Sequence, residues 1–213
     1  RASRRCPGER RNVNLAGWVI VVPIKLVAAK SRFGPDDNSA LARAMALDTI
    51  SVALTVGRVI VVVADAAAFT SEVAALGAEV VIDPGAGLNA AISRGLDVAG
   101  LDSWRAVLLG DHPALTPQEL REVLAAAAAH PLSFVADAEG DGTAITTAAP
   151  GVPHAPHFGA GSAAAHRLAG YVELFDAWHG LRRDVDLAEH LTVHLIGLPV
   201  GPHTLEAIAA LSV

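Results

Sequence analysis

Apolar residues along this chain arrive in short blocks whose spacing alternates between two periods. Trp18 to Pro23 is a continuous apolar run of strand length. Arg58 to Ala64 (RVIVVVA) is a β-branched run of the kind covered on both faces of a sheet. Between them, from Asp37 to about Leu54, Leu41, Ala44, Met45 and Val52 fall on roughly one helical face. Asp36 or Asp37 is placed to cap that helix, and Asp48 interrupts its stripe. The pattern then predicts a helix over Ala66–Leu76 ending at Gly77, a strand over Glu79–Ile82, a helix over Leu88–Val98 and a buried strand over Arg105–Leu109. Pro117 to His130 reads as a helix, with Thr116 as N-cap, Pro117 at N1 and Glu119 at N3 in a capping-box arrangement. Ser133 to Ala136 closes the series as a strand. Strands alternating with helices of about ten to fifteen residues indicate βαβ units and a mostly parallel sheet, with right-handed crossovers.

The second part is less regular. Thr143–Ala148 reads as a strand, Ser162–Leu168 as a short helix, Tyr171–Phe175 as an edge strand and Leu187–Leu195 as a helix. Residues 150–161 (PGVPHAPHFGAG) read as an ordered loop over a site, and residues 199–213 as a weak C-terminal tail. One α/β domain over residues 15–198 is the expected unit, with a smaller irregular β part beside the parallel sheet.

Charge adds one division. The chain carries a formal net charge of -6, yet residues 1–14 hold five arginines against the single Glu9. That stretch lacks the apolar segment of a secretory signal and reads as a disordered basic extension. An acidic body does not suit a duplex-binding protein, so no nucleic-acid partner is expected. No apolar run approaches the ~18 residues of a membrane helix, so no membrane partner is expected either. The single cysteine, Cys6, allows no internal disulfide, which suits a reducing cytoplasm.

In open α/β sheets ligands gather beyond the carboxyl ends of the strands. The first strand runs into Lys25, Lys30 and Arg32, three cations within eight residues and ahead of a helix. Such a loop can neutralise a polyphosphate, or it is a solvated surface loop. Neither GxxxxGK[ST] nor GxGxxG is present, which excludes a P-loop and makes a dinucleotide turn a poor fit. The fourth strand ends as Leu108-Leu109-Gly110-Asp111-His112-Pro113, where a carboxylate caps a turn or binds a cation. In Arg182-Arg183-Asp184-Val185-Asp186, an extended backbone puts the two aspartates on one face, where hard oxygen donors favour magnesium or manganese. Asp141-Gly142-Thr143 and Phe158-Gly159-Ala160-Gly161-Ser162 supply glycines, hydroxyls and N–H groups suited to an anion, or a plain turn and cap. His190 and His194 lie one turn apart but lack the Glu of HExxH, and read as exposed helix residues.

Taken in order, Pro23-Ile24-Lys25, Ala29-Lys30-Ser31-Arg32, Gly87-Leu88-Asn89, Gly110-Asp111-His112-Pro113, Asp141-Gly142-Thr143, Phe158-Gly159 with Ser162 and His166, and Asp184-Val185-Asp186 resemble the 2-phospho-L-lactate and phosphoenolpyruvate guanylyltransferases of coenzyme F-420 biosynthesis. The resemblance runs from about Trp18 to Leu195. It implies a Rossmann-like nucleotidyltransferase domain of glycosyltransferase-A type. It also implies that Lys25, Lys30 and Arg32 hold the GTP phosphates, with Lys25 and Asp111 catalytic, and that Leu88 and Asn89 border the nucleotide. Asp111, Asp184 and Asp186 would hold Mg2+, with Mn2+ as the substitute. Thr143, Gly159 and Ser162 would hold a small phosphorylated three-carbon acid. A homodimer is compatible with the resemblance. His112 and Ala144 depart from the family's usual residues, which bears on acceptor preference. The rival readings are a nucleotidyltransferase for another cofactor precursor or a sugar phosphate, and a nucleotide-binding module without turnover.

Overall fold

Every residue of Trp18–Ile24 (β1) is buried, so this strand needs a covering layer on each face. The computed structural model, which describes residues 17–24, 35–64, 67–185 and 197–211, supplies both layers. After β1 come α1 (Pro35–Leu54), β2 (Arg58–Val63), α2 (Ala67–Ala75), β3 (Glu79–Ile82), α3 (Leu88–Ala99), β4 (Trp104–Leu108) and α4 (Pro117–Ala127). Then follow β5 (Leu132–Ala136), β6 (Thr143–Ala148), α5 (Ser162–Leu168), β7 (Val172–Glu173), α6 (His179–Arg182) and α7 (Pro202–Leu211).

The strands form one seven-stranded sheet in the order β3-β2-β1-β4-β6-β5-β7. β1 pairs in parallel with β2 and β4, β2 with β3, and β5 with β7, whereas β6 runs antiparallel to both β4 and β5. The strand order reverses direction between β1 and β4, which is the switch point where ligands of open α/β sheets bind. Alternation decides which layer each strand residue meets. Ile20, Val22, Val61 and Leu108 pack with Ile50 of α1, Phe69 of α2 and Leu120 and Leu124 of α4. Val19, Val21, Ile60, Val62 and Val107 face the other way, against Ala91 and Ile92 of α3 and Phe158.

Several expectations are adjusted. α1 starts at Pro35, so Asp36 and Asp37 lie in its first turn rather than at its cap. α4 ends at Ala127 because Ala129 and His130 donate to carbonyls three residues back, tightening the last turn. The capping box of Thr116 and Glu119 is present as read. Only Val172 and Glu173 of the expected Tyr171–Phe175 strand pair with β5. The C-terminal stretch read as a weak tail holds α7, which packs against α1 through Ala207 and Ile208 beside Leu41 and Met45. Asp48 therefore does not spoil an amphipathic stripe. Its buried carboxylate accepts from the backbone N–H groups of His203 (3.1 Å) and Thr204 (2.8 Å) and from the Thr204 hydroxyl (2.6 Å), capping α7 from across the fold. The expected helix over 187–195 and the basic extension over 1–14 lie outside the described residues.

Candidate active site

The parallel strands deliver their carboxyl ends to one edge of the sheet, and β6 adds its first residue there because it runs the opposite way. Leu108 pairs with Ile145, and Ala136 with Thr143, so Thr143 stands just beyond the end of β4 and level with the end of β5. β1 arrives at the same edge. A Cβ on Gly110 would meet the tip of the Ile24 side chain, so glycine lets the exit of β4 lie against the exit of β1 without Ile24 having to shift. The cationic stretch with Lys25, Lys30 and Arg32 starts from that point but lies outside the described residues, as does Asp186.

Asp111 follows Gly110, with its side chain 29% exposed and its Oδ1 3.6 Å from Nε2 of the buried His112. Main-chain bonds help to hold the turn that carries it. Val185 N–H donates to the Asp111 carbonyl (3.0 Å), Leu115 N–H to that of His112 (3.1 Å) and Gly201 N–H to that of Pro113 (2.8 Å). The first of these bonds brings the segment of Asp184 alongside Asp111. Asp184 is half-buried and follows the short helix α6. Arg182, in the same acidic motif, turns inward, donating to the carbonyls of Ala136 (3.2 Å) and Asp137 (2.9 Å). Glu119 fixes the other end of α6 by accepting from Gly180 N–H at 2.9 Å, in addition to its capping role. Among the described residues no three carboxylates or imidazoles converge as a metal site. Asp111 and Asp184 nevertheless offer the hard oxygen donors that magnesium takes.

The hydroxyl-bearing residues meet directly. Ser162 Oγ donates to Thr143 Oγ1 at 3.0 Å, and His166 Nδ1 lies 3.0 Å from the same oxygen. All three residues are buried. His166 Nε2 accepts the His157 N–H at 3.2 Å, and its ring packs against Tyr171, Phe134 and Phe158 at centroid distances of 5.0, 5.4 and 5.7 Å. Burial, and then the neighbouring His157, lower the His166 pKa to about 4, against an opposing hydrogen bond with the Ser162 backbone. His154, whose Nε2 lies 3.0 Å from the Thr146 hydroxyl, is lowered further, to about 3, by burial and then by the charge of Arg105. Gly159 is exposed, with φ of 131°, a conformation that side-chain-bearing residues rarely adopt. Its carbonyl accepts from Ser162 N–H at 3.1 Å.

Three residues outside the sequence-based site set shape this corner. Asp137 accepts backbone N–H groups from Gly140 (2.6 Å), Asp141 (3.1 Å) and Gly142 (2.7 Å), building the turn into Thr143. An Asp followed by two glycines is a turn signal, so the sequence carried that clue. Asp141 in turn accepts Gly161 N–H at 3.0 Å, joining the turn to the start of α5. His166 stood in the family pattern without a role. Asn89, expected beside a nucleotide, spends its amide on the Phe158 backbone, accepting N–H at 3.0 Å and donating to the carbonyl at 3.3 Å. Leu88 begins α3 and packs with its apolar layer.

A Rossmann-like sheet with one reversed strand, carrying carboxylates and a hydroxyl cluster at its switch point, defines a nucleotidyltransferase fold. A family model described as the MobA-like NTP transferase domain matches residues 41–192. A phosphoenolpyruvate guanylyltransferase of Streptomyces coelicolor is 48% identical over 206 residues, covering 91% of this chain and 97% of the relative. One of Mycolicibacterium smegmatis is 42% identical over 223 residues, covering 98% and 99%. Among solved structures, 4-diphosphocytidyl-2C-methyl-D-erythritol synthase shares the fold with a TM-score of 0.56 at 12% identity, covering 85% of this chain and 99% of that one. The chain belongs to the MobA-like NTP transferases and, within them, to the phosphoenolpyruvate guanylyltransferase family. It is an enzyme of the nucleotidyltransferase class.

Proposed function

We propose that this chain transfers the GMP moiety of GTP to the phosphate of phosphoenolpyruvate, with 2-phospho-L-lactate as the alternative acceptor, as a step of coenzyme F-420 biosynthesis. Relatives named phosphoenolpyruvate guanylyltransferase, matched over nine-tenths or more of the chain, favour this acceptor. The geometric observation that carries the reading is the Val185 N–H to Asp111 carbonyl bond, which joins the two carboxylate-bearing segments at the switch point.

In the reaction an oxygen of the acceptor phosphate attacks the α-phosphorus of GTP, the α–β phosphoanhydride bond breaks, and pyrophosphate leaves. The phosphate oxygen is ionised near neutral pH, so no general base is needed. Lys25, Lys30 and Arg32 would hold the GTP phosphates and offset the repulsion between two polyanions. Lys25 and Asp111 would act at the reacting phosphate. Leu88 and Asn89 would border the nucleotide, Asn89 through the Phe158 loop that it anchors. Thr143 and Gly159 would hold the phosphorylated acid, with Ser162 acting through the Thr143 hydroxyl to which it donates. Asp111, Asp184 and Asp186 would hold Mg2+, or Mn2+ in its place, which when bound supplies Lewis-acid polarisation of the α-phosphate. The substrates place the reaction in the cytoplasm, and no helix among the described residues is long and apolar enough to cross a membrane. A homodimer is part of the reading and is checked by sedimentation.

The test is pyrophosphate release with GTP and Mg2+, supplying phosphoenolpyruvate, 2-phospholactate or 3-phosphoglycerate separately. Release that depends on phosphoenolpyruvate and disappears in Asp111→Ala is the expected outcome. No release with any acid, from a folded protein that still binds GTP, overturns the assignment in favour of a binding module.

A further inference from the structure

The hydrogen bonds around Thr143 have a direction that follows from their partners. His166 Nε2 takes the His157 N–H, so its lone pair lies there and a neutral ring carries its proton on Nδ1. That Nδ1–H faces Thr143 Oγ1 at 3.0 Å, with the Ser162 carbonyl drawing on the same proton. Ser162 Oγ donates to Thr143 Oγ1 as well. A hydroxyl has two lone pairs and one proton. With both lone pairs engaged, Thr143 can only donate, and no described residue takes that proton.

We propose that His166 is a positioning residue that fixes the Thr143 hydroxyl as a hydrogen-bond donor to an anionic oxygen of the acceptor acid. The inference rests on the reading that Thr143 faces that acid. Carboxylate and phosphate oxygens only accept, so they match a hydroxyl locked as a donor. A ligand hydroxyl seeking an acceptor is disfavoured at the same place, because the lone pairs are already taken. Three aromatic rings hold the imidazole in place, which limits its freedom to turn and release the bond. The ring stays neutral through the physiological range, so the donor direction does not change there.

Two variants separate this role from simple support of the loop. The amide nitrogen of His166→Asn stands near the place of Nδ1 and keeps a donor toward Thr143. The amide of His166→Gln reaches the place of Nε2, keeping a partner for His157 N–H while withdrawing the donor from Thr143. Steady-state kinetics of the full chain with GTP, Mg2+ and phosphoenolpyruvate are measured for both, for Thr143→Val and for the Gln/Val double variant, with a thermal melt of each. The expected result is a KM for phosphoenolpyruvate raised about tenfold in His166→Gln and within about threefold of wild type in His166→Asn. The KM for GTP stays within about twofold throughout, and His166→Gln adds no more than about twofold to Thr143→Val. Equal effects of Asn and Gln, or effects that multiply in the double variant, overturn the positioning role. If His166→Gln does not fold, His166→Asn decides, since a tenfold rise in its KM while folded is also contrary. Failure of both to fold makes the residue structural and overturns the proposal. A wild-type chain inactive with every acid overturns the proposed function and this inference together, whereas an active one with multiplied effects overturns this inference alone.

Discussion

The two halves of the site are held together in different ways. Around Thr143, side chains hold one another: Ser162, His166 and Thr143 are buried and mutually hydrogen-bonded, inside a ring of aromatics. Around Asp111, main-chain bonds from Val185, Leu115 and Gly201 fix the turn, while the side chain remains 29% exposed. The hydroxyl half is neutral and its three side chains are bonded to one another, so it contributes to stability, and only the Thr143 proton is left for a ligand. The carboxylate half sets the half-buried segment of Asp184 beside Asp111, where hard oxygen donors of the kind a divalent cation takes come together. A site that selects one anion and activates another needs both kinds of construction.

The largest expected effect comes from the carboxylate half. Asp111→Ala lowers pyrophosphate release by about a thousandfold in a chain that still folds, as a thermal melt checks. A variant that instead unfolds breaks the comparison. Acid acts on the other half. His166 and His154 have native values of about 4 and about 3, below the 6.5 of an unfolded histidine, so the unfolded chain binds more protons in that interval. Stability is therefore complete above about pH 6.5 and falls as pH drops toward 4. By pH 5 the loss is about 2 kcal/mol for His166, with a contribution of the same order from His154. Urea denaturation from pH 7 to 5 checks this, and His166→Asn removes the first contribution.

Asp48→Ala lies outside both halves and sharpens the contrast. It leaves the Thr204 hydroxyl and two helix N–H groups without their acceptor, costing about 2–4 kcal/mol. Limited proteolysis then cuts within residues 197–211 before the rest of the chain. The smallest effect belongs to Thr143→Val, which strands the Ser162 and His166 donors. It lowers stability by about 1–2 kcal/mol and raises the KM for phosphoenolpyruvate about tenfold, leaving that for GTP unchanged. A GTP effect of equal size would move Thr143 to the nucleotide side.

Local pattern made much of this readable. The β-branched runs in β1 and β2, the buried apolar stretch of β4, the Thr116–Glu119 capping box, and the Gly110-Asp111 strand end are short-range signals, because burial on two faces and helix capping depend on neighbours along the chain. What escaped depends on distant partners. Asp48 and Thr204 lie 156 residues apart in sequence, and Asn89 and Phe158 lie 69 apart. Asp48 looked like a flaw in a helix stripe only because the helix that it caps was not in view. Glu119 was visible as a cap, but its second bond, to Gly180, was not. Asn89 was read toward a ligand because nothing local shows that its amide is already committed.

The sequence by itself determined the alternation of strands and helices, the edge of the sheet where ligands gather, and the residue types that could bind phosphate and a hard cation. These follow from side-chain period and from the chemistry of each group taken alone. Tertiary structure decided which of those groups meet. The reversal of β6 brings Thr143 beside the ends of β4 and β5, the turn after Ala136 carries Asp141 to the start of α5, and the imidazole of His166 sets the direction of the Thr143 hydrogen bonds. Hydrogen-bond direction is a property of a partnered set, so it exists only once packing has brought the partners within about 3 Å of one another.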